Sequence, residues 1–364
     1  KKLVDKKLTK GNFDFRDPQM EQDKSKEMVE FFKQVKESLC DPSLELSGSF
    51  SLGSSGFNYI DTTMINPIAH QSSDFSIEAV IKMTDHENKE LRASQTGDQW
   101  QQFDLRTLID QLKEKIEIKK STQRINIEPG KYNIIFGHEA LSEMAVYMSS
   151  ISLYGESLLY KTGMLDEKKY PLGTKVFDSK FTLTDDPNDT DIILKRFVTP
   201  TGLNRAPFNL INKGILKNIY YSDSKACDKF DKQINNDFEC ANFKIAGGDG
   251  PSELSEIIAQ TTEPTIYISF IHYMNFTNRT KGEFTGSSRF GTFLIEDCKI
   301  KNHLYNLRIN DSYFNIFNNI EWLSKELAHT SQSSSYGLRW PLACTSPRFT
   351  FIKNVNISAS SFQK

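Results

Sequence analysis

Between Leu44 and Met83 the chain alternates. LELSGSFSLGSSGFNYIDTTMI and then FSIEAVIKM set apolar and polar residues on every second position. A period of two belongs to extended strands with one buried face. Gly48, Gly53 and Gly56 stand where such strands would turn. The same grain returns later in YNIIF, TKVF and FTLTDDP, and in the hairpin PFNLINKGILKNIYYS around Asn212-Lys213-Gly214. TIYISFIHYMNF, a hairpin RFGTFLIEDCKIKN and a closing SPRFTFIKNVNIS continue it. Helical spacing is rarer. SKEMVEFFKQVKESL repeats Met28, Val29, Phe32, Val35 and Leu39, and LRTLIDQLKEKIEI aligns Leu105, Leu108, Ile109, Leu112 and Ile116. A further helix is expected over 313–327. Short strands without βαβ order predict an α+β protein with antiparallel sheets. The linker-like KKSTQRINIEPGKY separates a mixed N-terminal domain, 1–124, from a strand-rich C-terminal domain, 125–364.

Composition excludes several function classes. The 364 residues suffice for two domains, and 26 phenylalanines with 13 tyrosines suit an aromatic, strand-rich core. A net charge of -2 and a pI near 6.4 argue against direct nucleic-acid binding. No apolar run reaches the roughly 18–20 residues of a membrane span. The cysteines at 40, 227, 240, 298 and 344 are odd in number and form no CxxC pair, which points to a reducing cytoplasm. Cys298 is expected in an exposed turn and Cys344 in the core. The opening KKLVDKKLTK lacks the apolar centre of a signal peptide, and a start without Met suggests a truncated N-terminus.

FGHEALSEMAVYM, 136–148, carries the sharpest chemical suggestion, because His138-Glu139 begins like a zinc-peptidase helix. HExxH works because residues i and i+4 share a helix face and can grip one ion. Here Ser142 stands at i+4, and Glu143 at i+5 lies about 140° around the helix from His138. Ala140, Leu141, Met144, Ala145 and Met148 instead form an apolar stripe that should pack on a sheet. His138 and Glu139 are thus weak catalytic candidates, and no metal set is expected. GGDGPSEL, 247–254, reads as a glycine turn before a helix with Ser252 as cap. His272, His303 and His329 are scattered, and order alone defines no triad.

Taken in sequence, these patterns resemble a known family. PGKYNIIF-x-x-EAL is followed by LGTKVFDSKFTLTDDP, NLINKGILKNIYYSDSKA, NFKIAGGD-x-x-x-EL and FIHYMNFTNRTKGEFTGSSRFGTFLIEDCKI, then a helix and a closing strand. The run is similar to the TldD/PmbA family, the "modulator of DNA gyrase" proteins, also classed among metallopeptidases. The resemblance extends over 20–360 and implies an N-terminal domain lacking its first half. TldD-type members carry an HExxxH helix whose two His hold zinc together with a distant Cys, and a Cys-Gly signature near the C-terminus. PmbA (TldE-type) members lack them and show Pro-Glu there. Here Glu139 matches the glutamate, Glu143 stands at the second ligand position, and Cys344 is followed by Thr345. The resemblance is therefore closer to the PmbA side.

That resemblance implies an accessory subunit without its own zinc in the proteolysis of peptides or unfolded protein. It also implies a cytoplasmic homodimer, or a heterodimer with a TldD-like subunit. INNDFECAN, 234–242, departs from the family's Thr-Gly-rich stretch and would trim a loop at the chamber wall. The segment YMNFTNRTKGEFTGSSRFG is the chosen lining, with His272, Arg279 and Arg289 as candidates to meet a substrate carboxylate. Two alternatives stand: a metallopeptidase in which His138 and Glu139 bind zinc with His272 or a Cys, and an interaction protein modulating DNA gyrase.

Overall fold

The computed structural model describes residues 11–60, 62, 67–84, 89–235, 242–332 and 342–358. Cys240 and most of INNDFECAN lie outside them. The Leu44–Met83 alternation becomes a four-stranded sheet of β1 (Asn12–Phe15), β2 (Leu44–Tyr59), β3 (Ile68–Met83) and β4 (Lys89–Gly97). β3 is central, with β2 antiparallel along one side and β4 and β1 sharing the other. The glycines of β2 do not break it. A Cβ on Gly48 would stand 2.2 Å from the Glu78 carbonyl oxygen, so glycine there serves close strand approach instead of a turn.

Two helices, α1 (Ser25–Leu39) and α2 (Leu105–Ser121), cover one face of this sheet. Asp104 caps α2 by accepting from the Arg106 and Thr107 amides. Leu108, Leu112 and Ile116 of α2 meet Ile77, Ala79, Ile81, Leu91 and Ala93 of the sheet. On α1 the buried residues are Phe31 and Val35, while Val29, expected on the apolar face, is 58% exposed.

The rest of the chain is built on two further sheets. In the larger, β5 (Gly130–Gly137) leads straight into α3 (His138–Ser152). β6 (Thr265–Asn278) pairs parallel with β5 and antiparallel with β7 (Glu283–Glu296). β7 then pairs with β8 (Arg308–Ser312), and β8 with the strand Phe349–Ser358, which returns to β5. These five strands close a ring. Register shifts in the β6–β7 pair at Ile268/Phe270 and His272/Asn275 supply the bends that closure needs. YNIIF is buried on both faces: Ile134 and Phe136 join the large core, and Ile135 joins the smaller cluster with Tyr267, Phe293 and Phe349.

The smaller sheet runs in the order Leu327–Ser331 (β9), Ala343–Pro347, Phe243–Ile245, Leu183–Asp185, Phe208–Asn212 and Ile215–Leu216. The Asn212-Lys213-Gly214 turn is present, with Lys213 and Gly214 both left-handed. The helix expected over 313–327 is not. Only Tyr313–Asn318 is helical, and Ile320–Leu323 pairs with the closing strand because Trp322 and Leu323 find partners at Phe351 and Thr350. TKVF contributes one bridge, Lys175 to Ile215. Parallel pairs occur in all three sheets beside the antiparallel ones.

The α3 stripe is buried as its spacing predicts, with Ala140, Leu141, Met144, Ala145 and Met148 at 0–1% exposure. It shares its core with Phe177, Phe181 and Phe317. Phe181 and Phe317 stack with centroids 4.3 Å apart. Phe181→Ala is expected to cost about 3–5 kcal/mol, read as a lower urea midpoint at unchanged slope.

Candidate functional site

β5 ends and α3 begins at the wall of a cleft of about 520 Å³. Residues 93–96 of β4 and Gln111, Glu114 and Lys115 of α2 line one side; 327–329 of β9, Arg348 and Ser269 line the other. The cleft thus opens along the seam between the first sheet and the rest of the chain. β4 and β9 are both edge strands, each hydrogen-bonded to a single partner among the described residues.

The seam itself is polar. Even-numbered residues of β4 point across it, as the period of two requires. Glu90 pairs with Arg289 at 2.6 Å. Arg92 pairs with Glu139 at 3.1 Å and with Glu78 at 3.1 Å, and its guanidinium lies over the Phe270 and Phe290 rings. The Ser94 hydroxyl donates to Glu139 Oε1 at 2.7 Å.

These contacts decide what His138 and Glu139 can do. Burial raises the Glu139 pKa, but Arg92 first, then His138, Ser94 and Lys115 outweigh it, and the net shift is downward. A carboxylate so held is a weak base near neutral pH. His138 Nδ1 is bonded to the Thr330 hydroxyl at 2.9 Å. Burial takes its pKa down to about 4 although Glu139 opposes, so the ring is neutral at pH 7. Ser142 bonds to Ser346 at 3.0 Å, and Ser346 donates to the His138 carbonyl. Lys115 donates to the Arg92 carbonyl at 2.5 Å, with its pKa lowered by burial. His329 bonds through Nδ1 to the Thr345 hydroxyl. Arg348 bridges Glu253 and Glu326.

The carboxylate pair Glu139 and Glu143 lies one helical turn apart on α3. Burial lifts Glu143 to about 7, with Arg92 opposing and Glu139 adding to the rise.

The other sequence candidates lie elsewhere. His272 and Arg289 meet, Nδ1 to Nη1 at 3.3 Å, beside a second cavity of about 370 Å³. Arg279 does not join them; it sits exposed in the turn after β6, over Phe276. Ser252 is no helix cap: the helix Leu254–Gln260 begins after Glu253, and Ser252 accepts from the Glu326 amide. Cys298 is exposed in its turn and Cys344 is buried, both as expected. Arg92, Lys115 and His329 carried no motif. The one signal for Arg92 was its place in an alternating strand, one residue either side of apolar Leu91 and Ala93.

Residues 129–359, more than half of the chain, match the model of the PmbA/TldA metallopeptidase C-terminal domain. The chain belongs to the PmbA/TldD family. Solved structures share its fold. One is a candidate modulator of DNA gyrase from Bacteroides thetaiotaomicron, at 17% identity and a TM-score of 0.76, covering 97% of this chain and 76% of that one. TldE from Thermococcus kodakarensis and a candidate gyrase modulator from Thermotoga maritima each align at 14% identity and a TM-score of 0.76, covering 97% of this chain and 78% of theirs. No curated protein matches the chain.

The family name raises the question of zinc, and the donor atoms at the α3 start fit it poorly. Ser142 is a hydroxyl already bonded, His138 Nδ1 is bonded to Thr330, and burial pushes the Cys344 thiol up to about 12, far from a thiolate. Among the described residues no three His, Cys, Asp or Glu side chains gather as a metal set.

Replacing Arg92 by Met would remove the largest influence that holds Glu139 charged, leaving His138, Ser94 and Lys115. A cost of roughly 2–4 kcal/mol is expected in urea unfolding, since breaking one side of a sheltered pair strands the other charge. Glu143 keeps its proton in the folded chain above the pH at which an unfolded chain loses it. Stability should therefore fall as pH rises from about 4.5 to about 7. Glu143→Gln is expected to flatten that slope and to add about 2 kcal/mol above the window, measured by urea melts across it.

Proposed function

We propose that this chain is an accessory, peptide-holding subunit of a peptidase assembly, without zinc of its own and closer to the PmbA (TldE-type) side of its family. The carrying observation is the start of α3. Where a zinc helix would offer a second histidine stand Ser142, tied to Ser346, and Glu143, which keeps its proton until about pH 7. The neighbouring His138-Glu139 pair is engaged by Thr330, Ser94 and Arg92.

The cleft supports the holding role. Two strand edges, β4 and β9, flank it, and an extended peptide can hydrogen-bond to such an edge through its backbone alone. Backbone recognition tolerates many sequences, which suits unfolded or partly degraded chains. The zinc-bearing partner in this reading is a TldD-like subunit; a second copy of this chain is the other candidate. A cytoplasmic setting accords with cysteines that include no pair among the described residues. A role at DNA gyrase, which two structural relatives carry in their names, has no separate observation in its favour, and a net charge of -2 gives no reason to expect DNA contact.

Two measurements on the purified chain test the proposal. Zinc content should be far below one ion per chain and unaffected by His138→Ala; stoichiometric zinc that His138→Ala removes would overturn the metal-free reading. An unfolded model peptide should slow amide hydrogen exchange in 93–97 or 327–331. Unchanged exchange along both edges would remove the peptide-holding role.

A further inference from the structure

A third hollow, about 310 Å³, borders the same helix as the cleft. Leu254 and Ser255 of that helix, Leu254–Gln260, line the cleft, and Ile257 and Gln260 line the hollow. The two also share one face of the larger sheet. Strand pairing sets Tyr267, Ile135, Phe351 and Trp322 in a row across four neighbouring strands. Gly137 and Phe349 belong to the next row, two positions along, where the cleft begins. The step between rows is about 7 Å.

The hollow offers little to a charged ligand. Ile135, Pro251, Ile257, Trp322 and Phe351 supply its apolar lining. The Thr261 and Thr265 hydroxyls are engaged, donating to the Ile257 and Glu263 carbonyls at 2.6 and 3.0 Å. Lys353 is paired with Glu321 at 3.1 Å, and Glu263 stands exposed to water. Trp322 and Phe351 are only half-buried, with ring centroids 5.7 Å apart at 46°. Large rings left partly open beside a hollow present faces and edges to a further ring.

The GGDG turn holds Trp322 in place. Gly248 and Gly250 are not left-handed; they are glycines because another strand passes close. A Cβ on Gly248 would stand 2.7 Å from the Leu323 carbonyl oxygen, and one on Gly250 2.6 Å from the Trp322 ring. Their amides donate to the Ser324 and Leu323 carbonyls at 3.0 and 2.9 Å. A glycine motif with the look of a phosphate loop thus seats an indole.

We propose that this hollow binds a bulky aromatic side chain of a peptide or unfolded protein, its ring lying among Trp322, Phe351 and Ile257. A charged side chain would lose hydration there and find only Glu263 in return. The source of the side chain rests on the peptide-holding reading: a chain extended along the cleft reaches the next row within a few residues.

Nuclear magnetic resonance tests the hollow directly. The chain has three tryptophans, so the Trp322 indole N–H resonance can be assigned by its loss in Trp322→Phe. N-acetyl-phenylalaninamide should shift that resonance and bind about tenfold or more tighter than N-acetyl-alaninamide or N-acetyl-lysinamide. Trp322→Leu should reduce that preference by about tenfold. Should Trp322→Leu not fold, the ranking of the three probes on the native chain decides. A phenylalanine probe that leaves the resonance unmoved up to its solubility limit would overturn the proposal, as would a lysine probe bound equally well. Peptide holding is read separately, by hydrogen exchange in 93–97 and 327–331 with a peptide free of aromatic residues. Slowed exchange beside an unmoved Trp322 resonance would remove the hollow and keep the cleft; the reverse would remove the cleft and keep the hollow.

Discussion

Arg92 holds the two parts of the molecule in register. It reaches from an edge strand of the first sheet, lies over Phe270 and Phe290 of the bent hairpin, and pairs with Glu139 at the first turn of α3. A guanidinium suits this place because its flat faces can stack while its edges pair. Glu90 and Ser94, two residues either side, repeat the crossing to Arg289 and Glu139. The cleft walls and the α3 start therefore keep their geometry through one short stretch of β4.

The same seam also engages the zinc-like dipeptide His138-Glu139. Glu139 sits at the positive end of α3, where a carboxylate is favoured, and faces a fixed arginine. Both effects hold its charge and reduce its use as a base. His138 is turned to Thr330 on β9, so it ties the helix to the smaller sheet. Glu143, one turn on, has no such ion-paired partner among the described residues and yields to burial instead. Two carboxylates on one helix face thus acquire opposite shifts: at Glu139 Arg92 and its other partners outweigh burial, and at Glu143 burial outweighs Arg92.

Much of the fold was legible. The period-two alternation in 44–83, the stripe on α3 and the Asn212-Lys213-Gly214 turn all reached the structure because each is enforced locally, by side-chain direction or by left-handed backbone. Errors came where tertiary partners outvoted local pattern. Gly48 stayed inside a strand because β3 passes close to it. Residues 320–323 are extended because the closing strand offers Trp322 and Leu323 a ladder that no helix could match. Val29 faces solvent because α1 rests on the sheet through Phe31 and Val35, a rotation that heptad-like spacing leaves open.

For the candidate sites the division is sharper. The sequence by itself determined the family, written in the order of motifs along 129–359, and the missing second histidine, written in residue order at the start of α3. It could not bring Arg92 to Glu139, 47 positions apart, nor Glu90 to Arg289, 199 apart. It joined His272, Arg279 and Arg289 in one segment, and only the bent hairpin separated Arg279 from the other two. Lys119 and Arg308, far apart in sequence, line one cavity only in the folded chain. Contacts of that kind depend on strand bending and on one sheet packing beside another, and residue order carries no local trace of either.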